Sequence, residues 1–76
     1  MYIYNYDKLK LKITEIYNSD VNFAIKMGFS ERTLCQKLNN KSEFKQSEIS
    51  KACSLLGIDD NDICSYFFDL KTQYIE

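Results

Sequence analysis

A small residue, a glycine four positions on and a leucine six beyond that (Ala24, Gly28 and Leu34) constrain this chain more than any other feature. Two short helices that cross steeply through a three- or four-residue turn need a small side chain where the first lies closest to the second, and Ala24 supplies it. Gly28 permits the reversal, because glycine carries no side-chain penalty at positive φ beyond a helix end. Phe23, Met27, Phe29 and Leu38 fill the neighbouring apolar slots, with Phe29 tucked from the turn into the core and Leu34 pinning the second helix from beneath. The spacing predicts a helix-turn-helix over about residues 20–40.

Apolar residues recur at helical spacing in the flanking stretches as well. Tyr6, Leu9, Ile13, Ile16 and Tyr17 form a stripe that predicts an amphipathic helix from about Asp7 to Tyr17, with Leu11 outside it as a surface residue or part of a partner-facing patch. Asn18, Ser19 and Asp20 supply turn and capping chemistry for the second helix, and Ser30 caps the third. A fourth helix, from about Gln46 to Leu56, carries Ile49, Ala52, Cys53 and Leu56 inward and stops at Gly57. Asp59 caps a fifth, in which Ile63, Tyr66 and Phe67 are the apolar side. Met1–Asn5 and Asp69–Glu76 alternate apolar and polar residues briefly, as short strands or partner-binding arms do. With no proline, two glycines and a hydrophobic fraction of 45%, the expected architecture is all-α: one compact five-helix domain over residues 1–76, with short extended termini.

The net charge of −1 conceals a gradient. Between residues 21 and 51, Lys26, Arg32, Lys37, Lys41, Lys45 and Lys51 face Glu31, Glu43 and Glu48, whereas from 52 onward only Lys71 faces Asp59, Asp60, Asp62, Asp69 and Glu76. A basic middle and an acidic tail are compatible with one face meeting nucleic acid and another meeting solvent or a partner. Cys35, Cys53 and Cys64 are widely spaced and there is no histidine, so no familiar metal set is expected; Cys53 and Cys64 sit on apolar stripes and read as small core residues. Neither an export signal nor a membrane-spanning apolar run is present, which predicts a cytoplasmic protein with reduced thiols. An enzyme is not expected, since there is no glycine-rich phosphate loop and no paired acid and base, and Asp59, Asp60 and Asp62 lack the glycine and distal glutamate of a calcium loop. No cofactor or small-molecule substrate is implied.

Chemistry is expected on the outward face of the helix after Ser30. Glu31, Arg32, Cys35, Gln36 and Asn39 turn away from Leu34 and Leu38. Arginine can bind guanine edges, glutamine adenine edges, and glutamate can accept from cytosine, so Glu31, Arg32, Cys35 and Gln36 form a candidate base-reading set for a major groove. Asn22, Ser30, Lys37, Asn39, Asn40, Lys41 and Lys45 are the candidate phosphate contacts.

The run Met27–Leu34, Met-Gly-Phe-Ser-Glu-Arg-Thr-Leu, followed by Lys37-Leu38-Asn39-Asn40-Lys41-Ser42 and Gln46-Ser47-Glu48-Ile49, resembles the small Cro- and repressor-like regulators of phages and prophages of low-GC Gram-positive bacteria. Tyr6–Lys10, Leu55–Ile58 and Tyr66–Phe68 extend the resemblance over nearly the whole chain. It implies a lambda-repressor-like domain that binds double-stranded operator DNA as a homodimer and regulates transcription, with groove reading on Glu31, Arg32 and Gln36 and backbone contact on Asn22 and Asn39. Where relatives in the wider superfamily place a glutamine that clamps phosphate, this chain has Asp20 or Asn22, and an acidic Asp20 near DNA is unfavourable except as a cap. The rival is a protein-binding module that keeps the fold, such as an antirepressor or antitoxin-like partner. Net acidity and the terminal aromatics Tyr2, Tyr4, Phe67, Phe68 and Tyr74 favour it, although the same aromatics can close the core or a dimer.

Overall fold

Each helix stops and starts where a specific backbone group is satisfied. A computed structural model describes residues 2–73: β1 (Tyr2–Tyr4), α1 (Asp7–Tyr17), α2 (Asp20–Met27), α3 (Glu31–Leu38), α4 (Gln46–Leu56), α5 (Ile63–Phe67) and β2 (Leu70–Gln73). The Asn5 side chain accepts from Asp7 N–H at 2.9 Å and opens α1; Asn18, left-handed at φ 70°, closes it by donating its N–H to the Thr14 carbonyl. The Ser19 hydroxyl accepts from Asn22 N–H at 3.2 Å to start α2, and the Ser30 hydroxyl accepts from Thr33 N–H at 3.1 Å to start α3. Gly28 and Gly57 end α2 and α4 at φ 82° and 67°, as their positions predicted. At α4 the cap comes from the third residue of the helix: the Glu48 carboxylate accepts from Lys45 N–H at 2.8 Å.

The helices enclose one core. Leu9, Ile13, Phe23, Ala24, Leu34, Ala52, Leu56 and Phe67 are all but inaccessible to solvent, and Tyr6, Met27, Leu38, Cys53 and Ile58 complete the cluster. Full burial of one of the larger aliphatic or aromatic side chains is worth about 1.5–3 kcal/mol relative to leaving it exposed, so the inward stripes of α1 to α4 dictate this packing. Two expected core positions fall outside it. Ile16 is 41% exposed, because Tyr17, one residue further round α1, closes the stripe by packing on Phe23 and donating its hydroxyl to the Leu55 carbonyl at 3.3 Å. Cys64 is exposed: Asp59 caps a single 3-10 turn (Asp60–Asp62) before α5 begins, and the arc from Ile63 through Tyr66 to Phe67 faces inward with Cys64 on its far side.

The two ends are strands that pair with each other. β1 and β2 run antiparallel, with Ile3 opposite Thr72, Tyr4 opposite Leu70 and an irregularity between Ile3 and Tyr4. The pairing carries on into Asn5, whose N–H donates to the Asp69 carbonyl at 2.7 Å. Tyr74 lies outside the described residues.

Candidate recognition face on α2 and α3

Three residues, Gly28 to Ser30, separate α2 from α3, and Phe29 N–H donates back to the Ala24 carbonyl at 2.8 Å, so the turn is locked onto the small residue that the sequence pattern singles out. With Leu34 and Leu38 buried beneath it, α3 presents its opposite side outward. A shallow polar groove of about 430 Å³ runs along that side, lined by Glu31, Arg32, Cys35, Gln36, Asn39 and Lys41 together with Asp20 from the start of α2. All four candidate base-reading residues and two of the candidate phosphate contacts, Asn39 and Lys41, thus share one surface. The Asn39 amide donates to the Cys35 carbonyl at 2.9 Å and to Cys35 Sγ at 3.2 Å, which ties the two side chains together on the last turn of the helix.

The remaining candidate contacts are placed differently, and Lys37 is the plainest correction. Its side chain is buried inside the fold. The ammonium donates to the Glu43 carbonyl at 2.8 Å, lies 3.0 Å from the Glu48 carboxylate and sits over the Phe29 and Phe44 rings at 5.3 and 5.8 Å, so it offers no charge to an outside ligand. Burial alone would raise the Glu48 carboxyl, but the hydrogen bonds from Lys45 N–H and Lys37 and the charges of both lysines outweigh it and hold the group below the usual carboxylate range. The signal was in the sequence: Lys37 stands three residues after Leu34 and beside Leu38, at the edge of the inward stripe. Asn40, left-handed at φ 62°, turns inward too; its amide accepts from Tyr4 N–H at 2.9 Å and donates to the Tyr4 carbonyl at 3.0 Å, as a neighbouring strand would. Asn22 donates to the Tyr17 carbonyl at 2.8 Å, and the Ser30 hydroxyl, besides capping α3, donates to Thr33 Oγ1 at 2.9 Å. Lys45 is exposed at the start of α4 but does not line the groove.

A second groove, about 400 Å³ in volume, opens where β1, the α3–α4 loop and α5 meet. Its walls are Tyr4, Tyr6, Phe44, Phe67 and Phe68, backed by Ile49, and its rim is Asn40 to Glu43. The rings hold one another edge-on, Tyr4 against Phe68 at 6.1 Å, Tyr6 against Phe44 at 5.6 Å and Phe44 against Phe67 at 5.3 Å. Burial, with Tyr4 and Glu43 adding to it, pushes the Tyr6 phenol above its ordinary value, so it stays neutral. Periodicity could not reveal this groove, since its residues come from four separate stretches of chain.

The family model described as protein of unknown function (DUF739) matches residues 2–70. The chain belongs to that family. The DUF739 chain is also similar to a protein of known structure, the modulator of repression of the temperate bacteriophage TP901-1 from Lactococcus lactis, determined in solution. The two are 48% identical, the match covers 87% of this chain and 89% of the other, and the TM-score is 0.77. No curated protein matches the DUF739 chain. The likeness sets it among small phage regulatory proteins, in keeping with the phage origin that its sequence resemblance implies.

Proposed function

We propose that this DUF739 chain modulates repression in a temperate phage or prophage, and that it does so by binding another regulatory protein through the α2–α3 face, without catalysis. Its similarity to a phage modulator of repression supplies the biological setting. The observation that carries the choice of a protein target is the groove's charge pattern. Asp20 and Glu31 line it alongside Arg32 and Lys41. DNA presents a uniform ladder of phosphates, and tight binding comes from neutralising many of them. Here Lys37 is spent inside, Asn40 holds β1, Asn22 satisfies the last carbonyl of α1, Ser30 caps its own helix, and two carboxylates share the groove with two cations. A surface that alternates in sign suits a partner that also alternates, which is how protein interfaces set their register.

Operator reading is the second interpretation, favoured by one observation: Arg32, Gln36, Cys35 and Glu31 share a single open face. It would place the helix-turn-helix in a major groove and require a homodimer on two half-sites one DNA turn apart. One pair of titrations separates the two. The purified repressor from the genome that carries this gene, titrated calorimetrically, should bind the wild type and bind Arg32→Ala at least tenfold more weakly, and neither protein should select a site in its own flanking DNA. Site-selective DNA binding with a negative log–log salt slope, lost in Arg32→Ala and strengthened in Asp20→Asn, would overturn the protein-binding reading in favour of the operator.

A further inference from the structure

The geometry points to the aromatic groove as a second half of the same interface, a seat for a bulky apolar side chain that the protein partner carries next to an acidic residue. This inference rests on the protein-binding reading of the α2–α3 face. Lys41 lines both grooves, so the groove on α3 and the aromatic one adjoin at its side chain. Among the described residues Lys41 makes no ion pair, and its side chain is exposed at that junction. An ammonium that makes no direct ion pair, at the edge of an aromatic groove, is complementary to a carboxylate flanking the inserted side chain. Glu43 on the rim disfavours a second acid further in, which limits the match to one acidic neighbour on the Lys41 side.

The seat is preformed. Asn40 fixes Tyr4 through both backbone groups, Tyr6 and Phe67 are buried at its floor, and three edge-to-face ring pairs connect the walls. Phe68 remains 48% exposed although Phe67 beside it is buried, so a large apolar surface is left at the open side of a rigid pocket. Apolar anchors that enter preformed pockets and are ringed by polar groups are where protein interfaces concentrate their affinity, because little freedom is lost on binding.

The test measures binding of the purified repressor from the same genome to the full chain and to four variants, with circular dichroism as the folding control. Phe68→Ala and Lys41→Glu should each weaken binding at least tenfold. Ser42→Trp, which fills the groove from its exposed rim and removes no packed side chain, should do the same even if Phe68→Ala perturbs the fold. Arg32→Ala, the marker of the α3 face, should weaken binding independently. Full affinity in both Lys41→Glu and Ser42→Trp, with loss in Arg32→Ala, would overturn the aromatic seat and leave the protein-binding function standing. If the wild type fails to bind the repressor at all, the function itself is wrong. A single-stranded thymidine oligonucleotide that binds the wild type and is blocked by Ser42→Trp would overturn the seat by assigning the rings to stacked bases.

Discussion

The Lys37 ammonium lies 3.0 Å from the Glu48 carboxylate, and this contact joins the last turn of α3 to the first turn of α4. Glu48 serves two purposes at once, since the same carboxylate caps α4 through Lys45 N–H. Removing one member of a buried pair is costly because the other is left charged without compensation. Glu48→Ala is therefore expected to lower stability by less than the roughly 3 kcal/mol that breaking a fully buried pair costs, because Glu48 is partly exposed and the Glu43 carbonyl still holds Lys37. Lys37→Met, which keeps the stem and removes the charge, should cost less. Urea midpoints of the two variants check the order.

The pair also gives stability a pH dependence. A carboxyl held below its unfolded value of 4.5 contributes fully at neutral pH and loses that contribution as pH falls through the folded-state value. Wild type should therefore lose more stability than Glu48→Gln on acidification below about pH 4.5, and the two should run parallel above pH 6. Denaturation series from pH 7 to pH 3 on both proteins would show the divergence or its absence.

Asn40 imitates a strand. Asn40→Ala loses both hydrogen bonds to Tyr4 and must hold a left-handed backbone without a polar side chain. At about 1 kcal/mol per hydrogen bond, the loss should reach about 2 kcal/mol. It should appear first as faster hydrogen exchange at the Tyr4 amide. Unchanged protection there would mean that β2 alone holds β1.

Gly28→Ala tests the turn. No atom lies within 4 Å of a Cβ built there, so steric crowding contributes nothing and the cost comes from φ 82°. A loss of about 1–2 kcal/mol is expected for an L-residue forced left-handed, with Gly28→Asn losing less. Thermal denaturation of the two variants makes the comparison.

The three thiols should separate by accessibility. Cys53 is buried, and burial, helped by Asp60, raises its pKa; Cys35 and Cys64 are exposed. Under native conditions a disulfide reagent should modify two thiols rapidly and the third only on unfolding.

The helix ends were legible because each depends on a local residue: Ser19 and Ser30 accept N–H groups three residues on, and Gly28 and Gly57 reach positive φ without a side-chain clash. The core was legible as far as one stripe meets another, which accounts for Leu9, Ile13, Phe23, Leu34 and Leu56 and for the errors at Ile16 and Cys64, where a neighbouring residue or a 3-10 turn shifts the inward arc. The face of α3 followed from the same arithmetic, since whatever opposes Leu34 and Leu38 must point out.

What one sequence window could not contain is a partner from another window. The place of Lys37 at the edge of the inward stripe hints at burial but not at its partners, Glu48 and the Glu43 carbonyl, and Asn40 reads as a loop residue until Tyr4 arrives. Local patterning determined the helices, their caps and the outward face, because those depend on residues within a turn or two. Tertiary structure alone decided which polar side chains remained free on that face, because burial and long-range hydrogen bonding exist only once the elements have met.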